Sequence, residues 1–162
     1  IWGEPIGIED LSTIITDADK NQIKIAIDEM VAERKQNQSG LLINNFDEKY
    51  QFVTRVKHDK YFSALVKKSE KKLTSSALET LSIIAYKQPI TRAEVDKIRG
   101  INSQTTIDNL LERGLIKENG RLEKIGKPII YVTTTLFLQY FNISSLKELP
   151  EIKELEEDSY ED

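Results

Sequence analysis

The chain has no cysteine and a single histidine, His58. Without thiols there is no disulfide framework and no thiolate metal site. With one imidazole, the usual nucleophile–base pairs and zinc sites are nearly excluded as well. No run approaches the roughly 18 apolar residues of a membrane span, and no secretory leader is visible. A glycine-rich phosphate loop is also missing: Gly120 and Gly126 flank a hairpin, not a strand-to-helix turn. His58 lies in a polar setting and reads as a surface or helix-cap residue. The acid pairs Asp47-Glu48 and Glu156-Glu157 fall in a turn and in a tail, where nothing builds a pocket around a carboxylate. These absences leave no catalytic residue, cofactor, metal or small-molecule substrate to assign. The chain reads as a binding protein that is not an enzyme, and the lack of cysteine fits a reducing compartment.

What the chain does have is regular helix punctuation over residues 81–116. Ser76 and Glu79 have the spacing of a capping box, and Ala77, Leu78, Leu81, Ile84 and Ala85 then trace one apolar helical face. Gln88-Pro89 ends that helix, because the residue before proline is pushed out of the α region. Thr91 and Glu94 form a second box, with Ile90 and Val95 spaced as a hydrophobic staple. Gly100 suits the left-handed position after this helix. Asn102 or Ser103 opens a third helix with the stripe Ile107, Leu110 and Leu111, which Gly114 and Leu115 close as a Schellman motif. Strands are expected over 115–118 and 128–134, around a loop holding Gly120, Arg121, Lys124, Gly126 and Lys127. Three helices and a hairpin make a winged helix.

The first half reads as a fainter copy. A short helix covers 8–14 and a longer one runs from about residue 19 to 36, burying Ile23, Ile27, Met30 and Val31. Strands over 41–44 and 50–56 surround a turn at 45–49. A further helix over 58–68 turns Tyr61, Phe62 and Leu65 inward, and the polar residues 69–72 form a linker. The predicted fold is mostly α with small β wings (α+β): two tandem winged-helix domains over residues 1–70 and 74–150. The acidic segment 151–162, poor in apolar residues, is expected to be a disordered tail.

Charge is unevenly placed. Residues 1–73 hold 12 basic and 12 acidic side chains, residues 74–150 hold 10 and 8, and residues 151–162 hold 1 and 7. The net charge of −4 therefore belongs to the tail, and the folded part is near neutral. The helix expected to face a DNA groove offers Gln104, Thr105, Thr106, Asp108, Asn109, Glu112 and Arg113. Gln, Asn and Arg can read base edges, but Asp108 and Glu112 offset Arg113. The wing is only mildly basic, Arg121, Lys124 and Lys127 standing against Glu118 and Glu123. The long upstream helix sets Lys20, Lys24, Arg34 and Lys35 against Asp28, Glu29 and Glu33, which suits a solvated helix.

The runs LETLSIIAYKQPITRAEVDKIRG, NLLERGLI and GKPIIYVTT, followed by FLQYF and SLKELP, strongly resemble the bacterial segregation and condensation protein B family. The match is specific from about residue 74 to 150 and looser upstream, through GEPI and YQFVTR. The family often carries small residues where this chain has Gln104-Thr105-Thr106. It also has a helix before the point where this sequence starts, at Ile1 without a methionine, so the first unit is expected to lack much of its first helix. The resemblance implies a homodimer formed through the first winged helix. It implies that the second winged helix binds the central part of the kleisin subunit, segregation and condensation protein A. That subunit closes the ring of the structural-maintenance-of-chromosomes ATPase that condenses and separates chromosomes during cell division. The chain would then be cytoplasmic, associated with the nucleoid through that complex.

Apolar residues beyond the needs of one small core mark candidate interfaces. A kleisin groove is placed around Tyr86, Ile90, Ile101, Phe137 and Tyr140, beside the cluster Leu136, Phe137, Tyr140, Phe141 and Ile143. A dimer interface is placed at Trp2, Ile6, Ile8, Leu11 and Ile14. The competing reading is a winged-helix transcription regulator, which needs a cationic recognition face that the sequence does not supply. The expectation is weak, non-sequence-specific DNA binding at most, with a dissociation constant at physiological salt no tighter than about 10⁻⁴ to 10⁻⁶ M. Fluorescence anisotropy with labelled duplexes measures it, and a nanomolar, sequence-selective signal would promote the regulator.

Overall fold

The computed structural model describes residues 4–62 and 72–151. A two-residue strand, β1 (Ile6–Gly7), leads directly into α1 (Ile8–Ile14), where the Gly7 amide donates to the Asp10 carboxylate at 3.2 Å. Helix α2 (Lys20–Gln36) is closed by a reciprocal box. The Gln22 amide donates to Asp19 at 2.8 Å and the Asp19 amide to the Gln22 side chain at 2.9 Å. Its buried face is narrower than the periodicity predicts. Ile23 and Ile27 are buried and Val31 is half-buried, but Met30 is 41% exposed. Helix α1 and the sheet pack over the first two and leave Met30 at an edge.

Strands β2 (Leu41–Phe46) and β3 (Lys49–Thr54) pair in antiparallel register, Asn45 opposite Tyr50 and Phe46 opposite Lys49. The turn is therefore only Asp47-Glu48, tighter than the expected 45–49. Both residues have φ in the left-handed region, 53° and 61°, the twist that a two-residue hairpin requires. β3 ends at Thr54, because Arg55 leaves the ladder to cap α2. Its guanidinium donates to the Ser39 carbonyl at 2.6 Å and the Arg34 carbonyl at 3.0 Å. A 3-10 turn (Val56–His58) and a short α3 (Asp59–Phe62) follow. His58 sits in that turn, its amide bonded to the Arg55 carbonyl. Tyr61 and Phe62, expected inside, are exposed. Leu65, the rest of the predicted helix and nearly all of the linker lie outside the described residues, as does the acidic tail beyond Glu151.

The second unit opens with α4 (Ser75–Lys87). Its cap is Thr74, whose hydroxyl accepts from the Ala77 amide at 3.2 Å, two residues before the cap predicted from spacing. Ser76 and Glu79 serve a different purpose described below. The buried face holds Ala77, Thr80, Leu81, Ile84 and Ala85, whereas Leu78, expected inside, is exposed. Thr80 is tolerated there because its hydroxyl donates to the Ser76 carbonyl at 2.9 Å. β4 (Ile90–Thr91) is a strand that the sequence did not announce; it pairs with β6. Gln88 extends this edge, its side-chain amide exchanging hydrogen bonds with the Thr133 amide and hydroxyl at 2.8 and 3.0 Å.

Helix α5 (Arg92–Arg99) has the predicted box. The Thr91 amide and hydroxyl both donate to Glu94, at 2.8 and 2.7 Å, and these bonds hold its carboxyl below the usual range. Gly100 ends α5 at φ 71°. Helix α6 (Gln104–Glu112) closes through Gly114 at φ 68°, with the Leu115 amide reaching the Leu110 carbonyl at 3.0 Å, the predicted Schellman bond. β5 (Ile116–Arg121) and β6 (Ile129–Thr133) form the wing, and α7 (Thr135–Phe141) follows. The strand orders are β1-β3-β2 and β4-β6-β5, so each sheet runs first, third, second. The fold is α+β, two tandem winged helices, as the sequence predicts.

Arg99 joins three helices of the second unit. Its side chain is only 2% exposed. It donates to Ser76 at 2.9 Å and Glu79 at 3.0 Å on α4, and to Ser103 at 3.3 Å before α6. Asp96 of α5 in turn accepts from the Ser103 amide at 2.7 Å. Replacing Glu79 with Ala leaves the guanidinium buried without that carboxylate. A stability loss of about 1–3 kcal/mol is expected, read as a shift of the urea midpoint at unchanged slope.

Candidate functional site

Helix α7 has the sequence TLFLQYF, apolar almost all round. Thr134 starts it, accepting from the Phe137 amide at 3.3 Å while its hydroxyl donates to the Gly114 carbonyl at 2.6 Å. One side of the helix, Phe137 and Leu138, enters the core. The other side, Leu136, Tyr140 and Phe141, faces solvent although it is just as apolar. The rings form a connected set. Phe137 lies 4.9 Å from Phe141, and Tyr140 meets Phe141 edge-on at 5.2 Å. Asn142 ends the helix at φ 53°, and the Ile143 amide closes it onto the Leu138 carbonyl at 3.0 Å.

The five residues assigned to a kleisin groove do not all share a surface. Ile90 and Phe137 are core residues, 3% and 2% exposed, and can only support a contact from beneath. Their burial follows from β4 pairing with β6 and from the inward side of α7, two tertiary features that local spacing does not reveal. Tyr86, Ile101 and Tyr140 are exposed. Tyr86 donates to the Pro150 carbonyl at 2.7 Å, which ties the end of the second unit to α4. Ile101 stands in the α5–α6 connection, where the Ser103 hydroxyl donates to its carbonyl. A neighbouring open groove of 520 Å³ is lined by Lys87, Pro89, Ile90, Glu94, Lys97 and Ile98. Exposed Ile98 adds to its apolar rim.

The outer face of α6 engages itself. Gln104 accepts from Arg92 and donates to Asp108 at 2.8 Å, and Arg113 donates to Asn109 at 3.0 Å. In the wing, Arg121 donates to the Lys127 carbonyl at 3.1 Å. Side chains that could read base edges thus already have partners within the protein. Among the described residues there is no group of three or more His, Asp or Glu side chains arranged to hold a metal ion, and no helix long and apolar enough to cross a membrane.

The first unit has a second feature. A cavity of 330 Å³ opens between α1, α2 and the sheet, with Leu11, Ile23, Ile27, Met30, Ile43 and Tyr50 on its walls. Nearly all of its surface is carbon. Tyr50 is buried there, and desolvation, followed by the charges of Asp28 and Glu48, raises its hydroxyl pKa. Met30 and Phe52 stand exposed at the cavity's lining, Phe52 under the Arg34 guanidinium at 5.0 Å. Of the residues assigned to a dimer interface, Ile6 and Leu11 line this cavity. Ile8 packs against the same core, Ile14 is 65% exposed, and Trp2 lies outside the described residues. Ile23 and Ile27, which the periodicity places inside, are buried within the protomer, and the opening is beside them.

The chain is 42% identical to segregation and condensation protein B of Clostridium tetani (strain Massachusetts / E88) over 161 residues, 99% of this chain and 85% of that one. It is 44% identical to segregation and condensation protein B of Alkaliphilus oremlandii (strain OhILAs) over 154 residues, 94% of this chain and 83% of that one. The crystal structure of ScpB from Mycobacterium tuberculosis shares 31% identity, covering 87% of this chain and 88% of that one at a TM-score of 0.44. Residues 1–152 match the family described as segregation and condensation complex subunit ScpB, and the chain belongs to that family.

Proposed function

We propose that this subunit is a non-catalytic adaptor. It pairs with a second copy through its first winged helix. With its second winged helix it holds the kleisin, segregation and condensation protein A, and through the kleisin it serves the structural-maintenance-of-chromosomes ATPase. ATP chemistry belongs to that partner. The observation that carries the reading is the outer side of α7: Leu136, Tyr140 and Phe141 are exposed on a unit whose charge is nearly balanced. Exposed aromatics near a neutral surface suit a protein partner, because burying them in an interface recovers hydrophobic free energy without counter-charges. The domain bounds that go with this reading are residues 1–70 for pairing and 74–150 for the kleisin, and its setting is the cytoplasm and nucleoid.

Tyr86 and Tyr140 are the anchors to test, since both are exposed. Their double substitution with Ala is expected to weaken binding of the kleisin's central segment by about 2 kcal/mol or more in calorimetry. Phe137→Ala instead is expected to cost about 3–5 kcal/mol of fold stability, as a core truncation does. Undiminished affinity of the double variant, with the fold intact, rejects this surface.

Pairing is supported by the apolar cavity of the first unit and by Ile14, which stands 65% exposed on α1. Covering such surface is worth about 25 cal/mol per Å². Ile14→Asp is expected to abolish the dimer in sedimentation while leaving circular dichroism unchanged, because the side chain has little intramolecular contact to lose. The parent's melting temperature should rise with protein concentration, as mass action requires. A monomer at tens of micromolar, with a concentration-independent melt, removes the dimer from the proposal.

A further inference from the structure

The first unit does not stop at its own core. Phe46, the last residue of β2, is 2% exposed, and it is buried in the core of the second unit. Every other buried member of that cluster lies between Leu73 and Leu138. Three polar contacts surround the inserted ring. The Asp47 amide donates to the Ser144 carbonyl at 3.0 Å. The Asn44 side-chain amide donates to the Asn142 side-chain oxygen at 3.0 Å, and Gln139 donates to the Gln51 side-chain oxygen at 2.7 Å. Val53, half-buried on β3, packs against the same cluster.

We propose that the β2–β3 turn is an internal latch, which seats Phe46 in the second unit and holds the two winged helices as one body. The inference is independent of which partners the two units bind. The turn is shaped for the task. Its two left-handed residues fold the hairpin back at once, so that Phe46 projects at the very tip and the Asp47 amide, which a longer loop would leave to water, points at Ser144. The receiving side is equally specific. Gln139 and Asn142 are one turn apart at the end of α7, and Asn142 both caps that helix in the left-handed region and accepts from Asn44. Covalently, the units follow one another in a single chain, so the latch is a second connection that closes a loop between them. Interfaces between domains of one chain commonly permit relative motion. This one inserts a ring into the neighbour's core, and so undocking exposes apolar surface and breaks three hydrogen bonds together.

The test is native-state hydrogen exchange on the full chain, read residue by residue by NMR. The Asp47 amide reports docking. The amides of the β2–β3 ladder report the hairpin itself, and those of α4 and α6 report the second unit. Asn142→Gly removes only the amide contact, since glycine keeps the left-handed cap; Gln139→Ala removes the second contact. The expected result for the pair is an acceleration of exchange at Asp47 of at least tenfold, with ladder, α4 and α6 protection unchanged. The two units of the parent should also share one alignment tensor in residual dipolar couplings and acquire two in the variant. Phe46→Ala should give the same separation more strongly. Two tensors in the parent, or Asp47 exchange unmoved by both variants, overturns the latch. Simultaneous loss of ladder protection overturns it too, because the hairpin would then be unfolding and not undocking.

Discussion

The second winged helix depends on one buried cation. Taking a guanidinium out of water is expensive, and the cost is met only when its donors find partners. Arg99, itself on α5, finds them on two other elements: two side chains of α4 and the serine that precedes α6, while Asp96, one turn back on α5, holds the same serine by its backbone. The relative positions of the three helices are thereby fixed at their ends, where side-chain packing alone is weakest. Among the described residues the Arg99 Nε has no hydrogen-bond partner, a residual cost that the junction carries. Everything that α5 and α6 present outward, including the Ile98 and Ile101 flank, is referenced to this point.

That junction also explains where the sequence could be read and where it misled. Boxes and stops that are local by nature were legible: Thr91 with Glu94, Gly100, and Gly114 with Leu115 all act within one turn of a helix, and spacing specifies them. Ser76 and Glu79 have the spacing of a cap as well, but both are taken by Arg99, some twenty residues on, and Thr74 caps the helix instead. A motif of correct spacing was recruited by a long-range partner, which no local pattern encodes. Thr80 for Leu78 on the inner face of α4 has a different, local origin. A threonine that returns its hydroxyl to the helix backbone can be buried, and apolar counting does not detect it.

The candidate surfaces were half legible. Aromatic content located α7 correctly, but composition cannot say which side of an all-apolar helix faces inward. Phe137 and Tyr140 were therefore grouped, although a core separates their roles. In the first unit the periodicity of α2 places Ile23 and Ile27 inside, and they are buried, whereas Met30 is not. Ile23 and Ile27 are covered by α1, and the unfilled volume lies between them and the sheet, where only the three-dimensional meeting of Ile43, Tyr50 and Leu11 defines it. The repeated strand order shows what the duplication consists of. Both units insert a two-residue strand beside the long hairpin, β1 in one and β4 in the other, and neither is long enough to announce itself by alternation.

The two hairpins differ in the edge they leave open. β5, at the border of its sheet, reads IKENGR and carries three charges in six residues, which discourages another strand from adding to it. β2 occupies the same border position and reads LLINNF, with none. An uncharged six-residue edge is a template for strand addition and hence for self-assembly into aggregates. Helix α7 rests against β2, with Asn44 and Phe46 of that strand engaged by the second unit. The neighbouring winged helix therefore supplies in space the gatekeeping that the strand lacks in sequence, and shields the first unit's edge from misassembly.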